Sequence, residues 1–138
     1  MVKLTTDTNR VYELGDINEF PVLGGELIYQ GAAVGLEVAS GYVRDLQVGD
    51  KFLGFAEDNI DASSASDGEK NIRVKRRGNV TLELSGAALT DVGKSIYATD
   101  DNTFTLSNTS SVYIGQIIRH QLGDEVIVDF DATRVTPA

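Results

Sequence analysis

Hydrophobic and polar positions alternate most regularly across residues 72–84. Ile72 and Val74 share one parity, and Val80, Leu82 and Leu84 resume it after Gly78. Arg73, Lys75, Arg77, Thr81 and Glu83 hold the other. A period of two marks a strand with one dry face and one wet face. The run is long for a single strand, so Gly78 is the expected place for a bulge or bend. The alternative, a hairpin tip at Gly78-Asn79, leaves Arg76 and Arg77 unpaired beside a very short turn.

Shorter extended pieces flank this run. Residues 17–21 form a small apolar cluster, with Phe20 held extended before Pro21. Residues 27–36 read as strand, tight turn and strand, and residues 41–46 as another extended piece. Residues 52–56 are a short apolar run bounded by turns, the pattern of a buried strand. Residues 95–99 and 103–106 flank an Asp100-Asp101-Asn102 turn, residues 112–118 make a strand, and residues 126–130 the last one, with Val126, Val128 and Phe130 on one face. Residues 57–70 read as a polar surface loop. Residues 85–93 hold room for one turn of helix, capped by Ser85 and ended by Gly93.

Many short strands, turns rich in Gly, Asn and Asp, and almost no helical periodicity predict an all-β fold. The expected form is a small β-barrel or β-tulip-like sandwich with at most one short helix. Residues 17–138 form this domain, and residues 1–16 read as an extended N-terminal arm. The arm is mostly short polar residues, with Arg10, Val11, Tyr12 and Leu14 as its contact residues. Two readings stand: a frayed terminus ending in an edge strand, or a segment that orders by pairing with another chain.

Composition narrows the function. The chain has 138 residues, enough for one domain with a real core. No apolar run is long enough to cross a bilayer, and the first residues carry neither an apolar stretch nor a cleavage pattern, so neither a membrane nor a secretion signal is expected. Cysteine is absent, which removes disulfides and thiolate metal sites. A net charge of −9 opposes nucleic acid as the main partner. Lys70, Arg73, Lys75, Arg76 and Arg77 are the one concentration of positive charge. They read either as a solvated face offsetting the acidic loop before them, or as a strand on which Arg73, Lys75, Arg76 and Arg77 face an acidic partner or a neighbouring copy. Little aromatic interleaving is present for stacking bases.

Catalytic chemistry is not apparent. His120 is the single histidine, and no serine sits in a nucleophile-elbow context. The acids of residues 57–70 do not follow the EF-hand spacing, and no glycine loop is built to cradle phosphate. The expectation is a protein that is not an enzyme and has no cofactor and no metal.

The order of segments resembles the capsid decoration, or cement, proteins of tailed bacteriophages. The resemblance is carried by Phe52-Leu53-Gly54-Phe55-Ala56, a polar loop, Ile72-Arg73-Val74 leading into the glycine-bent Gly78-Asn79-Val80-Thr81-Leu82-Glu83-Leu84, then Asp91-Val92-Gly93-Lys94-Ser95-Ile96-Tyr97-Ala98, Asp100-Asp101-Asn102, Ile114-Gly115-Gln116 and Val126-Ile127-Val128-Asp129-Phe130. It covers residues 52–130; the Arg76-Arg77 pair is not part of the family pattern. The resemblance implies a non-enzymatic β domain, made in the host cytoplasm, that binds the outside of the virion head. It implies the major capsid protein as partner, self-association as a homotrimer or in some members a dimer, and an arm that adds a strand to the capsid protein. The alternative from a different class is a free-standing β-barrel module that binds a glycan or a short oligonucleotide.

Overall fold

The computed structural model describes residues 5–7 and 15–133. Arg10, Val11, Tyr12 and Leu14 therefore lie outside the described residues. Twelve strands occur among the described residues: β1 (Ile17–Pro21), β2 (Leu27–Ile28), β3 (Ala33–Leu36), β4 (Val43–Asp45), β5 (Lys51–Ala56), β6 (Ile60–Asp61), β7 (Asn71–Lys75), β8 (Arg77–Glu83), β9 (Ser95–Ala98), β10 (Phe104–Thr105), β11 (Val112–Leu122) and β12 (Glu125–Asp131). They form two five-stranded antiparallel sheets, ordered β1-β7-β5-β3-β4 and β10-β9-β11-β12-β8, and a small β2-β6 ribbon. The all-β expectation holds, in sandwich form.

Two apolar clusters hold the layers together. One lies between the sheets and joins Ala33, Leu46 and Phe55 to Leu82, Ile96, Ile114, Val128 and Phe130. The other joins Val34, Leu53, Ile72 and Val74 to Ile28 of the ribbon and to Ala62. Ala33 and Val34 are successive residues of β3 and enter different clusters, so the first sheet is buried on both faces.

One irregularity aligns the aromatic core. In the β3–β5 ladder Val34 faces Gly54 and Gly35 faces Phe52, which leaves Leu53 as the extra residue of a β-bulge. The bulge shifts the parity of β5. Phe52 and Phe55, three apart, thereby enter the same cluster, while Leu53 and Ala56 enter the other. Phe55 then packs edge-on against Phe130 of the opposite sheet at 4.9 Å, and Phe52 against both rings at 5.5 and 6.2 Å. Gly54 takes φ of +130°, and a β-carbon there would run into the Lys75 carbonyl. Only glycine lets β5 and β7 approach this closely.

The alternating run crosses between the sheets. Its first half is β7 in the first sheet and its second half is β8, an edge of the second. The even-numbered side stays inward throughout. The break falls at Arg76, not at Gly78, which pairs with Phe130 in unbroken register despite φ of +139°. Arg76 is where the chain changes partners: its N–H donates to the Asp16 carbonyl at 2.7 Å, in line with the β1–β7 pairing, and its carbonyl accepts from Ala132 N–H at 2.7 Å, in line with the β8–β12 pairing.

Three local expectations change. β2 and β3 do not form a hairpin; β2 pairs instead with β6, inside the stretch read as loop. The helical turn is a 3-10 turn confined to Leu89–Asp91, and Ser85 does not cap it. The Asp91 carboxylate accepts the Ala88 N–H at 3.0 Å and supplies the missing partner. β11 continues to Leu122, four residues past its expected end, because β12 pairs with it along that length.

Candidate partner surface on the crossing strand

Parity decides what the four basic candidates can touch. Arg73, Lys75 and Arg77 are exposed, but Arg76 is only 6% exposed. Its Nε donates to the Leu53 carbonyl at 2.8 Å, and its terminal nitrogens donate to Asn18 Oδ1 at 2.8 Å and to the Ala132 carbonyl. Leu53 is the unpaired residue of the bulge, so Arg76 satisfies a carbonyl that the ladder leaves without a partner. The guanidinium carbon lies 4.9 Å from the centre of the Phe20 ring. Burial lowers the Arg76 pKa from its ordinary value, with Asp131 opposing the shift. Arg76 thus ties β1 and β5 to the segment after β12. Its parity with Ile72 and Val74 was the sequence signal for an inward position; its chemistry masked that signal.

The exposed cations are partly answered from within the chain. Arg73 grips Asp58 with Nε and Nη2 at 3.2 and 3.1 Å, and these bonds hold the Asp58 carboxyl below its ordinary range. Arg77 Nε donates to Asp16 at 2.7 Å. The Lys75 side chain makes no hydrogen bond or ion pair among the described residues and lies between the two arginines along the chain. Lys70 reaches the Asp61 carbonyl at 2.8 Å. The face is therefore of mixed sign, with one unmatched ammonium at its centre.

Beside this face lies an open groove of about 690 Å³ between the ends of β5, β7, β8 and β12. Phe55, Val80 and Phe130 form its apolar floor, and Lys75, Arg77, Glu57 and Asp129 stand around it. The two phenylalanine rings are buried in the core, so little of either is open for stacking.

Two features escaped the sequence reading. Tyr97 and Tyr113 sit opposite each other on β9 and β11 with ring centres 5.7 Å apart, and Tyr113 is 55% exposed. Their distance in sequence hid this pair. An acidic group forms around Glu26, Asp45 and Asp101. Burial first, then Asp45, raises the pKa of both Glu26 and Asp101. Arg44, which chelates Asp50 at 3.1 and 2.8 Å and binds Glu37 at 2.7 Å, moderates the charge at Glu26. No group of three or more metal-ligating side chains assembles among the described residues. His120 Nε2 lies 2.8 Å from the Gly123 carbonyl at the β11–β12 turn.

No protein-family model, curated protein or solved structure matches this chain.

Proposed function

We propose that the chain is a non-enzymatic decoration protein that binds the outer surface of a tailed-phage head and braces its major capsid protein lattice. The observation that carries the reading is the fold of the resembling segment. Residues 52–130 supply most of a two-sheet body in which Arg76 is taken up by structural hydrogen bonds and Arg73, Lys75 and Arg77 lie on a mixed-charge face. The segment before Ile17 leads into β1, which is an edge strand of its sheet. A segment at that position can pair with another chain without disturbing the sandwich. Contacts repeated over a symmetric shell add, so weak individual sites suffice.

The test is co-sedimentation of the purified protein with expanded, undecorated heads built from the major capsid protein encoded in the same genome. Saturable binding at a stoichiometry set by the lattice supports the reading. Absence of binding at any protein excess contradicts it.

A second reading is a glycan-binding module. The Tyr97–Tyr113 pair favours it, because an exposed tyrosine face can stack on a sugar ring. Glycan-array binding that is lost in Tyr113→Ala, without head binding, would select this reading.

A further inference from the structure

The two sheets end in four strands, and one differs from the rest. β10 and β4 are only two and three residues long, and β1 contains Pro21. Short edges and prolines discourage pairing with other chains. β8 has seven residues, no proline and an unbroken register with β12. No described strand pairs with its outer side.

The direction of its backbone groups follows from two hydrogen bonds. Ala132 N–H donates to the Arg76 carbonyl, and Leu84 N–H donates to the Asp124 carbonyl. With no register shift between them, even-numbered residues of β8 bond to β12. Arg77, Asn79, Thr81 and Glu83 therefore turn their N–H and C=O groups to the open edge. Their side chains are all exposed.

The charges on this edge are self-complementary. Arg77 stands at one end and Glu83 at the other. Glu83 lies directly opposite Glu125 of β12, an unfavourable like-charge pair, and meets no cation among the described residues. Arg77 uses only its Nε on Asp16, which leaves its terminal nitrogens to reach outward. Two copies of β8 placed antiparallel about Val80 set Arg77 opposite Glu83 of the second copy and Asn79 opposite Thr81. The four outward-facing residues of each copy are then those that exchange backbone hydrogen bonds.

We infer that β8 is a self-association edge, where a second copy of this chain pairs antiparallel to form a two-fold dimer with a continuous ten-stranded sheet. The contact is isologous, so each Arg77–Glu83 pair occurs twice. The second copy also covers the groove over Phe55, Val80 and Phe130. This association needs no capsid and differs from the three-fold arrangement implied by the family resemblance.

The experiment is the solution mass of the full chain at low ionic strength, by sedimentation equilibrium, with a charge-swap set. The wild type should have twice the chain mass. Glu83→Arg should become monomeric, with at least a tenfold weaker association, because it opposes Arg77 of the second copy. It should remain folded, since it also relieves the contact with Glu125. Arg77→Glu should likewise dissociate, and the double variant Arg77→Glu/Glu83→Arg should recover the dimer. Thr81→Pro, which removes an outward N–H and leaves the bonds to β12 in place, is the charge-independent check and should give a monomer. A monomeric wild type at its highest soluble concentration overturns the inference. So does a dimer unaffected by Glu83→Arg and Thr81→Pro.

Discussion

The guanidinium of Arg76 caps the carbonyl of Leu53, 23 residues earlier, at the one position where the β3–β5 ladder leaves a residue unpaired. A bulge is needed to bring Phe52 and Phe55 to the same face, and it frees a carbonyl at the crossing between sheets. A long cationic side chain at that crossing reaches it and, with the same planar group, binds Asn18 and Ala132.

Replacing Arg76 by Ala should be clearly destabilising, because it takes the donor away from the buried Leu53 and Ala132 carbonyls, at roughly 1–3 kcal/mol for a buried acceptor left unsatisfied. Lys should not rescue it fully, because an ammonium cannot form the planar fork. Urea unfolding followed by fluorescence or circular dichroism measures both. Asn18→Ala, which removes one of the three acceptors, should cost less than Arg76→Ala.

Gly54→Ala and Gly78→Ala separate conformational strain from collision. Both residues have positive φ, which costs a non-glycine residue about 1–3 kcal/mol. At Gly78 the nearest outside atom to an added β-carbon is the flexible end of Lys75, at 3.9 Å. At Gly54 the obstacle is backbone. Gly54→Ala should therefore be clearly the more destabilising in the same unfolding assay, and comparable losses would argue against a close β5–β7 approach.

The acidic group gives a pH dependence with a definite sign. Glu26 and Asp101 have folded-state pKa values raised above their unfolded ones, so the folded state holds their protons more tightly. Their contribution is fully present below the unfolded pKa and is lost as pH rises through the folded pKa. Glu26→Gln removes the penalty of ionising this site. Its stability relative to wild type should increase as pH rises through and above 4.5, the ordinary value for this carboxyl. Parallel stability curves for the two proteins from pH 3 to 8 would contradict the burial of this charge.

Much of the sandwich was legible because strand parity is a local property. Ile72, Val74, Leu82 and Leu84 point inward as their spacing required. The crossing point was not legible, since Gly78 carries the usual mark of a bend and Arg76 does not. What moves the break is Asp16 and Ala132, distant residues that capture the Arg76 backbone. β6 was missed because two residues within a polar stretch hold no period. The basic candidates were half legible. Arg73, Lys75 and Arg77 share the exposed side, but the acids that answer two of them, Asp58 and Asp16, arrive by folding.

The exposed cations make a further prediction for head binding. Lys75→Glu changes a cation that has no ion pair among the described residues and leaves both arginine pairs in place. If an acidic partner meets this face, the variant should bind heads several-fold more weakly, with the loss shrinking at high salt. Wild-type binding by Lys75→Glu would remove this face from the contact.

The most direct measurement of the central claim is head occupancy by electron cryomicroscopy, comparing the full chain with a variant lacking residues 1–14. Ile17–Pro21 and Asp16 remain in that variant, so the sandwich should stay folded, as its circular dichroism would verify. The account predicts regular density at lattice sites for the full chain and none for the truncated one. Bare heads with the full chain would contradict the decoration function, and equal occupancy for both proteins would contradict the role of the arm.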